Sequence, residues 1–335
     1  MSEPSVQRLE EIIKSFRGRS TVVLGDLLAD EFVYGEIARV SREAPALILE
    51  HRQTTIVPGG GANAVMNLRS LGAAPLPVGV IGKDANGRQV LLRFREAGIS
   101  TSGIVSDSDW ATPTKSRIVA GGAHTRRQQI VRVDRGSAHG RLPGRLAISV
   151  RGRLKKALRR AEGILIADYG YGAGDPDIAG RPALRGARVV TADSRTRVGS
   201  FRGITASTPN QEEVERALGL APLRSRRALE EAGRTLLRRT GNEAVLVTRG
   251  AKGMSLFQRR KPVAHIPPYG NEEVADVTGA GDTVTATFTL ALLAGADPHE
   301  AALLANYAAG IVVTKAGIAT VTRTELLRAV REDRA

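Results

Sequence analysis

Short apolar, β-branched segments alternate with longer segments of helical periodicity along most of this chain. The strand pattern occurs at Ser20–Gly25, Pro77–Ile81, Gly163–Ala167, Ala187–Ala192, Ile204–Ser207, Ala244–Thr248 and Gly253–Phe257. The helical pattern occurs at Gly61–Leu71, Asn86–Ala97, Leu146–Ala161, Glu212–Leu218, Arg226–Arg239, Gly279–Ala294 and Pro298–Lys315. This alternation favours an α/β fold with a central, mostly parallel sheet flanked by helices. Ligands of such folds bind beyond the carboxyl ends of the strands.

Two regions, Ala29–Val57 and Ser102–Val133, break the alternation because no helix separates their apolar runs, which are Ala46–Glu50, Thr114–Val119 and Gln129–Val133. We predict that they form a small β-sheet that acts as a lid beside the main sheet. The chain has 335 residues, 42% of them hydrophobic, and can bury a large core. We interpret residues 1–335 as one domain with lid segments at about 29–57 and 102–133.

The chain has no cysteine, which excludes disulfides, thiolate metal ligands and a cysteine nucleophile. Its five histidines are scattered, which disfavours a zinc site. The N-terminal segment Met1–Arg19 has no apolar region of a secretory signal, and no run of ~18 apolar residues predicts a membrane span. Together these features predict a cytoplasmic protein without a membrane partner.

The formal net charge is +15 and the isoelectric point is about 10.8. Such a charge suits nucleic acids or small anionic substrates, and an arginine-rich solvated surface has the same appearance. Aromatic residues make up only 4% of the chain and do not interleave with the basic segments. A stacking platform for single strands is therefore not supported, and nucleic acid is the disfavoured partner.

The segment Asp276-Val-Thr-Gly-Ala-Gly-Asp-Thr-Val284 predicts a tight loop that opens directly into a helix. Backbone N–H groups at a helix start are unpaired and favour an anion, and Gly279, Ala280 and Gly281 allow close approach of a ligand. A carboxylate repels phosphate, so Asp282 needs a chemical reason at this position. That reason is a base that takes a proton from a hydroxyl as the hydroxyl attacks phosphorus. The alternative is an ordinary N-capping aspartate.

Two further motifs suit the hydroxyl groups of a sugar. Gly60 precedes and Gly61 begins a predicted helix on which Asn63 and Asn67 lie on one face. Asp26 follows the first predicted strand. Amides and carboxylates bind hydroxyls well, but a glycine loop that caps a helix and a strand-end turn remain as structural alternatives.

Two loops suit a nucleotide. Asn210 and Glu213 have the spacing of a capping box, and they also have the ligand types that order Mg²⁺ and its waters near phosphates. The glycines of Thr248–Gly253 would let a nucleotide lie against the backbone, with a hairpin turn as the alternative. No P-loop or protein-kinase motif is present, which excludes those classes, and no G-x-G-x-x-G follows a predicted strand, which disfavours dinucleotide binding.

In their order along the chain, these motifs resemble the PfkB/ribokinase family of sugar and nucleoside kinases over about Ser20 to Thr322. The resemblance implies a ribokinase-like central sheet with a small β lid, and it implies that Asp282 is the catalytic base. It further implies an anion hole for the transferred phosphoryl group at the N–H groups of Gly279, Ala280 and Gly281. The remaining implied roles are sugar binding at Asp26, Gly60, Gly61, Asn63 and Asn67, magnesium binding through water at Asn210 and Glu213, and ATP binding at Asn210, Glu213, Thr248, Gly250, Gly253 and Asn306.

Within that family, the chain resembles kinases that phosphorylate the anomeric hydroxyl of D-glycero-D-manno-heptose 7-phosphate. The segments that carry this resemblance are Gly25–Asp30, Arg39–Pro45, Asp168–Gly172 and Val313–Val321. A phosphorylated sugar needs cationic anchors, and exposed surface charge is the alternative for each candidate. The candidates are Lys83, Lys115, Arg117 and Arg132.

The chain also departs from that branch of the family. Arg42 stands where the branch usually has proline, Gly61 stands where it usually has alanine, and Asp193-Ser194-Arg195 replaces an expected Asp-Pro-Lys. The last change bears on the phosphate contacts. Many relatives carry a nucleotidyltransferase domain after the kinase, so we expect a separate protein to perform adenylylation here.

The sequence therefore predicts an ATP- and Mg²⁺-dependent sugar kinase. Two alternatives stay open: a kinase of this fold for another sugar, sugar phosphate or nucleoside, and a non-catalytic sugar-binding regulator, against which the intact Asp282 argues. A homodimer through the lid is compatible with the pattern. The sequence leaves open whether Lys315–Thr320 binds a monovalent cation, as similar segments do in relatives.

Overall fold

The computed structural model describes residues 3–121, 128–136, 140–180, 184, 186–270 and 274–333. Its strands are β1 (Ser20–Gly25), β2 (Leu27–Val40), β3 (Leu47–Gly60), β4 (Ala74–Gly82), β5 (Ile104–Asp107), β6 (Thr114–Gly121), β7 (Gln128–Arg135), β8 (Gly163–Asp168), β9 (Val189–Ser194), β10 (Ala206–Ser207), β11 (Ala244–Thr248), β12 (Met254–Gln258) and β13 (Ala264–Ile266). Its α-helices are α1 (Val6–Lys14), α2 (Gly61–Ser70), α3 (Ala85–Glu96), α4 (Gly144–Leu158), α5 (Pro176–Ala179), α6 (Gln211–Leu218), α7 (Arg226–Thr240), α8 (Ala280–Leu293), α9 (Pro298–Val313) and α10 (Arg323–Asp333).

The large sheet has nine strands in the order β13-β12-β11-β10-β9-β8-β1-β4-β5. All neighbours from β11 to β5 are parallel, and only β12 and β13 at one edge are antiparallel. The central strands are buried on both faces, because Val23 and Leu165 belong to one hydrophobic core while Val22 and Ile164 belong to another. The predicted mostly parallel α/β fold is confirmed.

The small sheet has four strands in the order β3-β2-β6-β7. Strands β2 and β3 pair antiparallel from Leu27 opposite Gly60 outwards, and β6 lies parallel to β2. Asp26 is the single residue between β1 and β2, and β3 ends where α2 begins. The junction between the two sheets therefore carries the aspartate and the glycine-asparagine motif that the sequence singles out. Strand β5 falls inside the segment 102–133, but it pairs with β4 and so extends the large sheet.

Helix α8 is the helix that positions the predicted base. Every residue from Asp282 to Leu293 on this helix is buried. Its threonines fix it against the sheet, since the hydroxyls of Thr191 and Thr289 lie 2.6 Å apart and those of Thr208 and Thr285 lie 2.7 Å apart. Because α8 is packed on all sides, these contacts hold its first turn in place next to the large sheet.

Helices α1 and α10 are absent from the sequence prediction. The apolar residues Leu9, Ile12 and Ile13 of α1 have helical spacing and are all buried, so the signal was present in the sequence. Arg331 of α10 forms an ion pair with Glu10, which joins the two ends of the chain. Among the described residues, no helix combines the length and the apolar character needed to cross a membrane.

Candidate active site

A cavity of about 350 Å³ gathers residues from both sheets and from the start of α8. Its lining consists of Asp30, Gly60, Lys115, Arg117, Arg132, Tyr169, Asp193, Arg195, Thr208, Asn210, Glu213, Thr248, Val277, Thr278, Gly279, Gly281 and Asp282. A larger cavity of about 730 Å³ lies beside Asp175 and Arg197, but none of the predicted site residues lines it. We therefore take the smaller cavity as the candidate active site, because the chemistry converges there.

Asp282 lies in the first turn of α8 with only 5% of its surface exposed. Its two carboxylate oxygens accept hydrogen bonds from Asn63 Nδ2 at 3.0 Å and from the Tyr169 hydroxyl at 2.5 Å. Burial raises the pKa of Asp282 to about 6, although both hydrogen bonds act to lower it. The carboxylate does not cap its own helix, which removes the structural alternative, and a pKa near neutrality is the property that a general base requires.

The glycine at the start of α8 is required for two reasons. Gly279 is the N-cap with a φ of 82°, in the left-handed region that favours glycine. A Cβ at this position would also lie 2.6 Å from Asn63 Nδ2. Gly279 and Gly281 line the cavity, whereas the Ala280 N–H donates to the Val277 carbonyl at 3.3 Å.

Asn63 and Asn67 form a chain of amides behind the base. Asn67 Nδ2 donates to Asn63 Oδ1 at 3.2 Å, and the Thr283 hydroxyl donates to Asn67 Oδ1 at 3.1 Å. Both amides are buried and neither lines the cavity. The structure brings Asn63 to Asp282 rather than to open space, while Gly60 lines the cavity and Gly61 opens α2 beside it.

Asp26 is buried and faces the backbone of the loop that follows β8. It accepts hydrogen bonds from the N–H groups of Tyr169 at 2.8 Å, Tyr171 at 3.0 Å and Ala173 at 2.8 Å. This geometry is that of the turn-forming alternative. Asp30 is the carboxylate of this motif that lines the cavity, and the sequence reasoning missed it. A buried charged residue in an apolar strand is the signal that could have found it.

Asn210 and Glu213 form a complete capping box at the start of α6, with both bonds 2.8 Å long. They also line the cavity together with Asp193. Burial raises the pKa values of the Asp193 and Glu213 carboxyls, and the negative charge of Glu213 raises the pKa of Asp193 further. Within the described ranges, no group of three or more His, Cys, Asp or Glu side chains could hold a metal ion. Two neighbouring carboxyls and an amide fit a hydrated Mg²⁺, which needs few protein ligands.

The remaining predicted nucleotide positions follow the same edge of the sheet. Thr248 lines the cavity and forms a parallel bridge with Asn210. Gly250 and Gly253 lie in the turn before β12, and a Cβ on Gly253 would approach the Ile266 carbonyl to 2.1 Å. Asn306 Nδ2 donates to the Pro267 carbonyl at 2.8 Å. Gly250, Gly253 and Asn306 lie outside the cavity lining.

Four cations line the cavity, and they differ in their partners. Arg117 pairs with Asp30, and Arg132 pairs with the exposed Asp134 at 2.8 Å. Lys115 and Arg195 each lie 4.8 Å from the centroid of the Tyr169 ring. Burial lowers the pKa of Lys115 to about 8. Arg195 was not among the candidate cations predicted from the sequence, and the fourth of those candidates, Lys83, is exposed and lies outside this lining.

The segment after α9 holds its own cation. The Lys315 ammonium donates to the Thr320 carbonyl at 2.7 Å and pairs with Glu325 at 2.7 Å. The Thr320 carbonyl, which could otherwise bind a monovalent cation, thus accepts a hydrogen bond from a side-chain ammonium.

A buried carboxylate at a glycine-rich helix start, in a cleft that is also lined by cations, fits a phosphotransferase that acts on a sugar hydroxyl. The sequence comparison agrees, because the family model described as "pfkB family carbohydrate kinase" matches residues 22–142 and 199–325. The chain belongs to this pfkB family of carbohydrate kinases.

Curated relatives match almost the whole chain. The bifunctional protein HldE of Pelobacter propionicus is 38% identical over 333 residues, which are 96% of this chain and 65% of the relative. The HldE protein of Paramagnetospirillum magneticum is 39% identical over 332 residues, which are 97% of this chain and 66% of the relative. The chain thus spans about 65% of the length of such relatives.

Solved structures share the fold. Arabidopsis thaliana ribokinase complexed with ribose and ATP matches with a TM-score of 0.72 at 20% identity, over 94% of this chain and 99% of that chain. Escherichia coli phosphofructokinase-2 in complex with substrates and products matches with a TM-score of 0.76 at 15% identity, over the same shares of 94% and 99%. The ribokinase-like fold predicted from the sequence is confirmed.

Proposed function

We propose that the protein transfers the γ-phosphoryl group of ATP to the anomeric hydroxyl of D-glycero-D-manno-heptose 7-phosphate, giving the 1,7-bisphosphate and ADP. The observation that carries this proposal is one cavity that combines a buried carboxylate base, the start of α8 and cations from the small sheet. The resemblance of Gly25–Asp30 and Arg39–Pro45 to heptose 7-phosphate kinases supports the choice of sugar. The relatives named HldE support it as well.

In the proposed reaction, the oxygen of the sugar hydroxyl attacks the γ-phosphorus in line while its proton moves to Asp282. The new O–P bond forms as the bond to the bridging oxygen of ADP breaks, and ADP leaves with that electron pair. The backbone at Gly279 and Gly281 favours the charge on the moving group, since the first N–H groups of a helix lack partners within the helix. A small sheet closed over the cleft excludes water and so limits hydrolysis of ATP.

Asn210, Glu213 and Asp193 would hold Mg²⁺ beside the nucleotide phosphates. One oxygen of Glu213 accepts from the Asn210 N–H, and within the described part of the chain the second oxygen has no hydrogen bond, so it could bind the ion or its waters. When bound, the ion neutralises charge on the phosphates of ATP. A bound cation would also offset the mutual repulsion of the Asp193 and Glu213 carboxyls.

The cations of the small sheet suit the phosphate that the sugar already carries. Lys115 and Arg117 belong to β6 and Arg132 belongs to β7, whereas the transferred phosphoryl group is assigned to the start of α8. Two anions in one cleft need two separate binding regions, because like charges repel strongly at short distance. The proposed arrangement gives each anion its own region.

The direct test is ADP release against a panel of heptose 7-phosphates, hexose phosphates, ribose, fructose and adenosine. We expect a heptose 7-phosphate to stimulate ADP release more strongly than ribose, fructose or adenosine, because only a phosphorylated sugar engages the cations of the small sheet. We expect it to exceed the hexose phosphates as well, because Gly25–Asp30 and Arg39–Pro45 resemble heptose 7-phosphate kinases. Strong stimulation by another acceptor, with none by a heptose phosphate, would overturn the substrate assignment and leave the kinase class intact.

The same assay in sodium and in potassium salts should give similar rates, because the Lys315 ammonium already bonds the Thr320 carbonyl.

We also propose a homodimer through the small sheet. Exposed apolar side chains lie on this sheet at Ile37, Val40 and Leu47 and on the edge strand at Val131 and Val133. These residues lie on three strands of one sheet, and exposed apolar side chains on a sheet favour a partner surface. Light scattering should give twice the chain mass of 35.6 kDa, and the double variant Val131→Glu with Val133→Glu should give a single chain mass. A monomeric native protein at micromolar concentration would contradict the dimer.

A further inference from the structure

One aromatic side chain connects the proposed base to the rest of the cleft. Tyr169 follows β8, and its hydroxyl donates to Asp282 Oδ1 at 2.5 Å while Asn63 donates to Oδ2 at 3.0 Å. We propose that Tyr169 is a positioning residue that fixes the orientation of the Asp282 carboxylate and favours its ionised form. This inference rests on the proposed function, because it acts through Asp282 as the base.

The direction of this hydrogen bond is determined by the environment of the phenol. Burial and the charge of Asp282 raise the pKa of Tyr169 well above its ordinary value. The hydroxyl therefore stays protonated and donates the hydrogen bond to Asp282. A donor to a carboxylate favours the ionised form of that carboxylate. Each oxygen of Asp282 accepts one such bond and has a second lone pair left, which the sugar hydroxyl can use.

Tyr169 is itself held from two directions. Asp26 accepts hydrogen bonds from the backbone N–H groups of Tyr169 and Tyr171, at 2.8 and 3.0 Å. Lys115 and Arg195 both lie 4.8 Å from the ring centroid, within the range of a cation–π interaction. Since both backbone and ring are restrained, the phenol is a fixed donor and not a mobile one. Asp26 thereby supports the proposed base indirectly, because it holds the backbone of Tyr169.

The charged groups that face Asp282 come from several elements and act in both directions. Asp30 of β2 and Asp193 of β9 repel its charge, whereas Lys115 of β6 and Arg195 attract it. Burial acts against ionisation. The hydrogen bonds from Tyr169 and Asn63 are the direct contacts that oppose burial, so the loss of one of them should be visible in the titration of the base.

The test compares Tyr169→Phe with Tyr171→Phe, a matched variant in the same loop whose native phenol lies outside the cavity lining. For Tyr169→Phe we expect the acid limb of the kcat–pH profile to move up by about one pH unit, because one hydrogen bond to an ion is lost. Because the pKa of native Asp282 is about 6, an upward shift of about one unit should lower turnover about 5-fold at pH 6 and about 2-fold at pH 7, and turnover should return at pH 9, where Asp282 is ionised again. Tyr171→Phe should leave the limb in place.

An acid limb that stays at its native pH in a folded Tyr169→Phe protein would overturn the inference, and so would a rise in turnover. Site-specific 3-fluorotyrosine at position 169 provides a second measurement that keeps the ring, because a more acidic phenol is a stronger donor and should move the limb to lower pH. Asp282→Asn separates the two levels of the argument. If that variant keeps normal turnover, the base assignment itself fails; if it is inactive while the limb does not respond to position 169, only the role of Tyr169 fails.

Discussion

Asp282→Asn should lower turnover of the sugar kinase reaction by about 100-fold or more while the protein stays folded. The asparagine has the same shape but cannot take the proton of the attacking hydroxyl at neutral pH. Tyr169 and Asn63 still surround the side chain, so the cleft keeps its form. The measurement is steady-state ADP release with saturating ATP and sugar phosphate, together with ATP affinity by calorimetry, which should change little.

The stability of this variant provides a second check. The pKa of Asp282 is raised to about 6, so the folded state binds this proton more tightly than the unfolded state does. The ionised carboxylate therefore destabilises the folded protein above pH 6, and this cost disappears as pH falls below about 4. Asp282→Asn should thus unfold in urea at pH 8 at the same or a higher midpoint. The exposed Asp109→Asn is the matched control, with both activity and midpoint unchanged. Near-normal turnover of Asp282→Asn would disprove the assignment of Asp282 as the catalytic base.

Lys115→Met should lower kcat/KM for the sugar phosphate by about 30-fold, with most of the loss in KM and a smaller loss in kcat, because the Lys115 charge also favours the ionised form of Asp282. Lys115 is buried, and its ammonium lies over the Tyr169 ring. Because the side chain lines the cavity, an anion bound there can contact the ammonium. Loss of a charge-assisted contact to phosphate costs about 2 kcal/mol, which is the size of that factor. Methionine keeps the length and the apolar stem of the side chain. KM for ATP should stay within a factor of three.

Two other lysines make this test specific. Lys83→Met decides between the sequence and the structure, because the sequence names Lys83 as a phosphate anchor and the structure leaves it outside the cavity lining. We expect Lys83→Met to resemble the native enzyme, and Lys261→Met, at an exposed turn, to be the control for loss of one positive charge. A large effect of Lys83→Met with none of Lys115→Met would reverse the assignment of the sugar phosphate region.

Local patterns made much of the fold predictable. The predicted segments Ser20–Gly25 and Ala244–Thr248 coincide with β1 and β11, and Arg226–Arg239 differs from α7 by one residue. These elements are specified by side-chain periodicity and by glycine or proline at their ends, which act within a few residues. The strand Leu27–Val40 was less visible, because its outer half is exposed and carries no apolar alternation.

The direction of a side chain at a strand end was not predictable in the same way. Asp26 directly follows β1, where a ligand contact and a turn are equally compatible with the sequence. The three N–H groups that bind it belong to the loop after β8, more than 140 residues away. Buried N–H groups need acceptors, so the packing of that loop turned the carboxylate towards the backbone. Of the two aspartates in the segment Gly25–Asp30, Asp30 is therefore the one that lines the cavity.

The sequence by itself determined the order of the elements, the glycine-rich start of α8 and the presence of a carboxylate there, because each of these depends on neighbouring residues. Only the tertiary structure decided the partners of that carboxylate. Asn63 reaches Asp282 across 219 residues of chain and Tyr169 across 113. Burial, which raises the pKa of the base, and the choice of Lys115 over Lys83 both follow from how distant segments pack, and such contacts leave no local pattern to read.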